Sequence, residues 1–251
     1  MSPSDHEAER AALTATTEGG ESILRDLVIA NRILANEGIL DAFGHVSIRD
    51  PTDPGQYYIA RQLGPELVTE ADLQCFALDG RELHGDTRPA YAERAIHGAI
   101  YAARSDVMAV CHSHSPSVIP FGVTGVRLQP IFHLAGLMGS DVPVWDIADE
   151  FGPTDMLVRS LEQGRSLARA LGGGRVALMR GHGCVVVGST LREVVLTAVY
   201  LEQNAKLQLQ ATALGEVRFL SPEEVQLTGG WLLSPLGLDR SWNTWRARAG
   251  F

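Results

Sequence analysis

The stretch Asp106-Val107-Met108-Ala109-Val110-Cys111-His112-Ser113-His114 says more about the fold than any other part of the chain. Residues 106–111 are mainly apolar and β-prone, so they predict a β-strand that ends in His-Ser-His. In an extended chain, side chains at i and i+2 leave the same face roughly 6.6 Å apart. His112 and His114 can therefore converge on one cation, each at about 2.0 to 2.1 Å, although the same pattern also occurs as ordinary polar residues at a strand end.

Two further elements favour a metal site over that simpler interpretation. Glu93 lies in residues 89–97, a segment that can be helical and leads into the predicted strand. His182 follows the apolar run 176–179 and has a glycine on each side, which lets the backbone bend closely around the imidazole. Three neutral imidazoles with a nearby carboxylate predict an open site for zinc, manganese, cobalt or iron.

Composition limits the classes of function that the chain can have. A net charge of −9, with 21 scattered Lys and Arg residues, argues against a nucleic-acid or anionic membrane surface. No stretch approaches the roughly 18 apolar residues of a spanning helix, and the polar start does not resemble a secretion signal, so we expect a cytoplasmic protein. Three cysteines in apolar runs indicate reduced core thiols rather than a disulfide framework.

The order of the predicted elements indicates one α/β domain over residues 21–251, after a flexible leader at 1–20. The tail carries Trp231, Trp242 and Trp245, whose rings could pack on a neighbouring subunit, although we expect them to cover the core of their own domain. Thr190 and Glu193 have the spacing of a capping box and open a long helix. The patterns predict helices at 21–36, 91–103, 154–171 and 191–213, and strands at 44–49, 56–60, 75–78, 106–111 and within 176–187.

The motif spacing resembles the class II aldolase and adducin family. Glu93, the histidine pair 19 residues later and a Gly-His-Gly about 70 residues further on carry this resemblance, which runs from about residue 22 to 225. It implies a three-layer α/β/α domain with a mostly antiparallel central sheet, assembled as a homotetramer with sites at subunit interfaces. It also implies that His112, His114 and His182 bind a divalent metal, with Glu93 as an acid/base that can approach the ion.

Departures from the family pattern narrow the substrate. The sugar-phosphate aldolases of this family use a Ser-Ser pair and an asparagine on the substrate phosphate, and here those places hold Tyr91, Ala92 and His45. The loss of small donors argues against a phosphorylated sugar, because a buried phosphate needs those hydrogen bonds. A tyrosine proposed as proton donor in the family corresponds to Leu134, beside His133.

Several longer strings, among them Ser115-Pro116-Ser117-Val118-Ile119-Pro120-Phe121-Gly122, resemble a branch that includes decarboxylases of dihydroxyphthalate and of a hydroxymethylpyridine dicarboxylate. The resemblance implies a metal-dependent carbon–carbon lyase, with Zn²⁺ or Mn²⁺ and also Co²⁺ or Fe²⁺ as possible ions. Such a lyase would decarboxylate a hydroxylated aromatic or pyridine carboxylic acid through a metal-stabilised enolate. The alternatives are retro-aldol cleavage of a non-phosphorylated hydroxy-carbonyl compound, an adducin-like scaffold, and an iron-dependent oxygenase. The adducin branch generally lacks the metal histidines, so their presence favours an enzyme.

Four residues are candidates for contact with such a small-molecule substrate: His45, Arg61, Tyr91 and His133. Arg61 is favoured over Arg88 and Arg94 as the partner of a second carboxylate, since guanidinium binds carboxylate in a bidentate manner. His97 is expected to pack or to hydrogen bond rather than to bind metal.

Overall fold

The described part of the chain is centred on a mixed sheet of seven strands, in the order β3-β2-β1-β4-β7-β6-β5. The computed structural model describes residues 22–251. Every neighbouring pair is antiparallel except β5 and β6, which confirms the expected mostly antiparallel sheet. The strands are β1 His45–Arg49, β2 Gln56–Ala60, β3 Leu73–Ala77, β4 Ala109–Ser113, β5 Val144–Trp145, β6 Val176–Met179 and β7 Gly183–Gly188.

Helices cover both faces of this sheet, as the α/β/α prediction requires. The described residues form α1 Ile23–Asn36, α2 Arg94–Ala103, α3 Ile119–Val123, α4 Ile147–Phe151, α5 Leu161–Leu171, α6 Leu191–Leu214, α7 Pro222–Leu232 and α8 Pro235–Arg248, with short 3₁₀ turns at Pro65–Leu67, Glu70–Asp72 and His133–Met138. Helices α1, α6 and α8 pack together on one face, and α2 packs against α5 on the other.

Strand β4 lies in the middle of the sheet and is buried along its whole length. It pairs with β1 on one side and β7 on the other, and this pairing continues through His112 and Ser113. The observed strand is therefore shifted towards its carboxyl end relative to the predicted 106–111, because both neighbours supply partners there. Since successive side chains alternate between faces, His112 points to the α2 layer and its neighbours Cys111 and Ser113 point to the α6 layer.

The prediction of one helix over residues 154–171 is wrong at its start. Thr154 Oγ1 accepts a hydrogen bond from the Met156 N–H, and Asp155 Oδ1 accepts one from the Leu157 N–H, so these side chains stabilise a loop instead. Met156 has a positive φ of 68°, which a helix cannot contain. Helix α5 begins only after Ser160, which forms a capping box with Gln163.

The carboxyl-terminal helices α7 and α8 contact each other, and α8 packs against α1 and α6. Trp242 and Trp245 are buried, as predicted, whereas Trp231 is 56% exposed and does not cover the core. The cysteines at positions 75, 111 and 184 are all buried and none of them forms a disulfide among the described residues, in agreement with the interpretation as core thiols. The predicted leader at 1–20 lies outside the described residues.

Candidate metal centre

Three histidine rings meet at one end of the central strands, in a nearly equilateral arrangement. The ring centroids of His112 and His114 are 5.0 Å apart, those of His112 and His182 are 4.8 Å apart, and those of His114 and His182 are 5.1 Å apart. Glu93 joins them, and one possible ligand atom from each of the four residues lies within 4.8 Å of all the others. Residues from three separate stretches of sequence thus converge on a space of the size of one ion.

The sheet positions two of these histidines through β4. His112 is directly opposite His45 of β1 and Val185 of β7 in the ladder, and it is completely buried. His114 follows the last residue of β4, and its side chain remains 20% exposed. The i, i+2 spacing therefore places both rings on the α2 side of the sheet, with His114 nearer to solvent.

The third histidine lies in the tight connection between β6 and β7, where two glycines have distinct roles. Gly181 has φ +62°, a conformation that favours glycine, and the His182 N–H donates to the Met179 carbonyl at 3.0 Å to close the turn. Gly183 lies against β4 so closely that a Cβ atom would be 2.1 Å from the Ser113 carbonyl oxygen. The absence of side chains at these positions lets His182 approach the two histidines of β4.

Hydrogen bonding selects the nitrogen that His112 offers to the centre. Its Nδ1 is 3.1 Å from the Cys184 carbonyl oxygen, which can only accept, so Nδ1 carries the proton. Its Nε2 is then an unprotonated nitrogen, buried and without a partner among the described residues. Burial lowers the pKa of His112 to about 3 although Glu93 opposes this, so the ring is neutral at neutral pH, as a metal ligand must be.

Glu93 is the residue immediately before α2, and its two carboxylate oxygens have different surroundings. Oε1 accepts a hydrogen bond of 2.9 Å from the Val158 N–H, while Oε2 lies 3.6 Å from His112 Nε2 and 3.5 Å from His182 Nε2. Burial acts to raise the pKa of Glu93, but the hydrogen bond from His182 and the nearby imidazoles outweigh it and hold the pKa at about 2. One oxygen is therefore fixed by the backbone and the other faces the centre.

Asp41 supports the centre and was not predicted from the sequence. His114 Nδ1 is 3.1 Å from both carboxylate oxygens of Asp41, which orients the ring with Nε2 free. Asp41 Oδ1 also accepts hydrogen bonds from the N–H groups of Phe43 and Gly44, just before β1. The Asp-x-Phe-Gly sequence indicates such a turn, but nothing in it points to a histidine 73 residues away.

These residues fit a divalent cation. The buried, unpartnered Nε2 of His112 is the kind of atom that a bound ion would satisfy, and carbonyl or carboxylate partners on the opposite nitrogens are typical of metal-binding histidines. Two ligands at about 2.1 Å from a tetrahedral ion are about 3.4 Å apart. The possible ligand atoms here lie within 4.8 Å of one another, so the cluster would contract around a bound ion. Three imidazoles and one carboxylate suit zinc, manganese, cobalt or iron, without selecting one of them.

Two of the four predicted substrate contacts lie beside the centre. The His45 ring is 5.2 Å from the His112 ring and 4.6 Å from the Tyr91 ring, measured between centroids. The Tyr91 hydroxyl donates to the Leu63 carbonyl, and burial raises the pKa of Tyr91 to about 12 even though the positive charge of Arg61 acts to lower it. His45 and Tyr91 thus form a wall next to His112.

The other two candidates are placed differently. Arg61 Nε donates to Asp72 Oδ1 at 2.8 Å, and the Arg61 side chain is still 30% exposed. His133 is exposed and borders a separate cavity of about 580 Å³ between α6 and the carboxyl-terminal helices. The residues that line this cavity, which include Tyr200 and Trp245, do not include those of the histidine cluster.

Among residues 22–251, no helix combines the length and the apolar character that a membrane crossing requires.

The sheet, its helical layers and the clustered side chains define the class of protein. The class II aldolase and adducin N-terminal domain matches residues 25–209, and the chain belongs to that family. The resemblance inferred from the motif spacing is therefore correct. Helices α7 and α8 lie beyond the matched region.

Curated relatives place the chain among enzymes of this family. Decarboxylase tropJ of Talaromyces stipitatus is 33% identical over 246 residues, a match that covers 88% of this chain and 92% of tropJ. The 3,4-dihydroxyphthalate decarboxylase of Arthrobacter keyseri is 30% identical over 204 residues, with 75% of this chain and 78% of that enzyme covered. With the family match, these similarities identify the chain as an enzyme of the lyase class.

Solved structures confirm the fold. The L-fuculose 1-phosphate aldolase from Glaciozyma antarctica PI12 superposes with a TM-score of 0.73 at 26% identity, covering 97% of this chain and 90% of the aldolase. The predicted class II aldolase-like architecture is therefore correct.

Proposed function

We propose that this protein is a metal-dependent decarboxylase of a hydroxylated aromatic or pyridine carboxylic acid. The observation that carries the proposal is the convergence of His112, His114, His182 and Glu93 within 4.8 Å. Relatives that are named decarboxylases, one of them acting on 3,4-dihydroxyphthalate, support the choice of reaction. Retro-aldol cleavage and decarboxylation both break a carbon–carbon bond and leave electrons that must move onto a nearby oxygen.

In this proposal the three histidines hold the divalent cation. His112 offers Nε2, because Nδ1 donates to Cys184, and His114 also offers Nε2, because Nδ1 faces Asp41. When bound, the cation supplies a Lewis acid for the oxygen on which the electrons of the broken bond collect, a contribution of several kcal/mol in such sites. Each roughly 1.4 kcal/mol of that stabilisation raises the rate about tenfold.

Glu93 is proposed to move the proton. With Oε1 fixed by Val158, Oε2 is the oxygen that faces the bound substrate. The carboxylate accepts the proton of the substrate hydroxyl group and returns it, directly or through a water, to the ring carbon that loses carbon dioxide. Glu93 is then unprotonated again at the end of the turnover, and the product leaves as a phenolate that takes one proton from solvent.

Recognition of the acid is proposed to involve His45, Tyr91 and Arg61. His45 and Tyr91 occupy places where the sugar-phosphate aldolases carry small phosphate-binding side chains, and their rings pack against each other instead. The positive charge of Arg61 interacts electrostatically with Tyr91, although the Arg61 guanidinium already forms an ion pair with Asp72. His133 remains a proposed contact only if another copy of the chain brings it near a site.

We also propose the assembly that the family resemblance implies, a homotetramer with sites at subunit interfaces. Two exposed apolar side chains border the centre and are suited to such an interface. Phe43 is 71% exposed in the turn held by Asp41, and Val123 is 54% exposed, with its Cγ1 3.7 Å from where a Cβ on Gly181 would lie. Light scattering that gives four chain masses would support the tetramer, and one chain mass would contradict it.

The direct test is to load purified protein with Zn²⁺ or Mn²⁺ and to offer dihydroxybenzoates, dihydroxyphthalates and hydroxypyridine dicarboxylates. The proposal expects stoichiometric release of carbon dioxide, which Glu93→Gln and His112→Ala should abolish. His84→Ala, a histidine substitution outside the cluster, is the matched control and should retain activity.

Other outcomes would favour the alternatives. The second candidate is retro-aldol cleavage of a non-phosphorylated substrate, which the aldolase neighbours favour, and it predicts aldehyde release without carbon dioxide. Oxygen consumption would indicate an iron-dependent oxygenase. Protein that neither binds metal nor turns over any of these acids would favour a scaffold.

A further inference from the structure

A buried row of hydrogen bonds leads from the candidate metal centre into the protein behind it. His45 Nδ1 is 2.7 Å from His97 Nε2, and His97 Nδ1 is 2.6 Å from Ser47 Oγ. Ser47 Oγ is in turn 2.7 Å from the Tyr101 hydroxyl, which is 3.5 Å from the Met108 carbonyl oxygen. All four side chains are at least 98% buried, and β1 and α2 supply two of them each.

The far end of this row sets its direction. A carbonyl oxygen can only accept, so the Tyr101 hydroxyl donates to Met108, and Tyr101 accepts from Ser47. Ser47 then accepts the Nδ1 proton of His97, and His97 Nε2 accepts the Nδ1 proton of His45. Every proton in the row has an acceptor, and the remaining nitrogen, His45 Nε2, is left unprotonated.

The opposite direction is less favourable because it leaves the contact between Tyr101 and Met108 without a proton. If each group donated towards the centre, the Tyr101 hydroxyl would give its only proton to Ser47, and the Met108 carbonyl would lose its donor from Tyr101. His45 would then carry its proton on Nε2. Neither histidine of the row hydrogen bonds to a carboxylate among the described residues, so no acidic group holds an additional proton on either ring.

We propose that Tyr101, Ser47 and His97 are positioning residues that hold His45 in the Nδ1–H tautomer, so that its Nε2 accepts a hydrogen bond from a hydroxyl group of the substrate. The His45 ring lies 5.2 Å from that of His112, beside the proposed position of the ion. The substrate part rests on the proposed function, whereas the tautomer does not. A site that is built to accept from a hydroxyl group discriminates against analogues that lack it.

The tautomer can be measured without any turnover. In protein labelled with ¹⁵N-histidine, protonated and unprotonated ring nitrogens have separate chemical shifts, and His45→Asn and His97→Asn variants assign the two residues. We expect both wild-type rings to carry the proton on Nδ1, with and without Zn²⁺. A wild-type His45 that carries its proton on Nε2 would overturn the proposal.

Tyr101→Phe provides the sharper test, because it removes the acceptor for the Ser47 hydroxyl. The Ser47 proton must then go to His97 Nδ1, so both histidines should change to the Nε2–H tautomer. Tyr57→Phe is the matched control, since Tyr57 is another buried tyrosine whose hydroxyl donates to the Arg94 carbonyl at 3.1 Å, outside the row. Unchanged tautomers in Tyr101→Phe, or an equal change in Tyr57→Phe, would contradict the proposal.

The substrate part is tested by ligand affinity on the Zn²⁺-loaded protein. The probes are 2-hydroxybenzoate and the 2,3-, 2,4- and 2,5-dihydroxybenzoates. Wild-type protein should bind one dihydroxybenzoate more tightly than it binds 2-hydroxybenzoate. The ratio of these two affinities should fall about tenfold in His45→Ala and in Tyr101→Phe, and it should stay unchanged in Tyr57→Phe. If the preference survives in both variants, His45 does not bind the hydroxyl. If the preference behaves as expected but no carbon dioxide is released, the proposed function fails and the role of His45 remains.

Discussion

At the scale of single residues, the geometry of the proposed metal ligands depends on groups that would not touch an ion. A carbonyl orients His112, a carboxylate orients His114, and the Val158 N–H fixes one oxygen of Glu93. Such partners fix the tautomer and ring orientation of metal ligands, so their loss should weaken metal binding without removing a ligand.

Replacement of Asp41 by alanine tests this dependence. Asp41→Ala removes the carboxylate behind His114 and the acceptor for the N–H groups of Phe43 and Gly44. We expect zinc affinity, measured by competition with a chromogenic chelator, to fall about 10- to 100-fold. Asp53→Ala is the control, because Asp53 also accepts from a backbone N–H in an exposed turn but hydrogen bonds to no histidine of the described chain. Equal affinity in wild type and Asp41→Ala would show that Asp41 serves only its turn.

The four clustered residues could be predicted from the sequence, whereas their partners could not. The i, i+2 spacing places the side chains of His112 and His114 on one face, and the glycines around His182 indicate a close approach. The resemblance to the family then implied that these histidines and Glu93 form one site. Asp41 and Val158 come from loops far away in sequence. Whether a distant backbone amide reaches Glu93 depends on how those loops pack, which no local pattern encodes.

At the scale of elements, the turn between β6 and β7 lies so close to β4 that it has no room for a side chain at residue 183. Gly183→Ala would place a Cβ atom 2.1 Å from the Ser113 carbonyl oxygen, so the two central strands would have to separate. We expect the free energy of unfolding to fall by about 3 kcal/mol and zinc binding to weaken. Gly173→Ala is the matched control, because no atom of residues 22–251 lies within 4 Å of a Cβ there. Urea denaturation of both variants measures the difference, and equal midpoints would contradict this account.

Two amide side chains of helix α6 hydrogen bond to the backbone of residues 127–131, as a neighbouring strand would do. Asn204 accepts from the Ile131 N–H at 2.9 Å and donates to the Gln129 carbonyl at 2.8 Å. Gln208, one turn later, makes the same pair of bonds to Gln129 and Arg127. An extended segment is thereby held against a helix, an arrangement that helical periodicity alone does not predict.

This arrangement predicts a large effect of one amide on stability. Asn204→Ala leaves the Ile131 N–H and the Gln129 carbonyl without their partner, which should lower the free energy of unfolding by about 2 kcal/mol. The exposed Gln210→Ala on the same helix should change it by less than about 0.5 kcal/mol. Thermal unfolding of the two variants makes the comparison, and an Asn204→Ala variant as stable as Gln210→Ala would mean that water replaces the amide.

The wrong prediction of a helix that begins at residue 154 also concerns the scale of elements. Helical periodicity correctly predicted α5, but the residues before it form a loop because Thr154 and Asp155 bond to nearby backbone N–H groups. The loop brings Val158 to Glu93, so the wrongly predicted turn of helix is the part that contacts the site.

At the scale of the whole molecule, the proposed metal site is added to a core that is complete without an ion. Leu27, Ile33, Val110 and Val185 are fully buried on the two sides of the sheet, so the fold does not depend on an ion as a small zinc domain does. The cation would nevertheless join β4, the β6–β7 turn and the start of α2. We therefore expect protein treated with chelator to remain folded but to melt at a lower temperature.

The size of that difference follows from linkage between binding and folding. Zn²⁺ at 100 times its dissociation constant stabilises the folded state by about 2.7 kcal/mol if the unfolded chain does not bind it. For a chain of this length the melting temperature should rise by about 5 to 10 °C. Calorimetry with and without Zn²⁺ measures the shift, which His112→Ala should abolish and His84→Ala should retain. A full shift in His112→Ala would place the stabilising ion elsewhere, because a site that has lost one of three imidazoles cannot hold zinc with the same free energy.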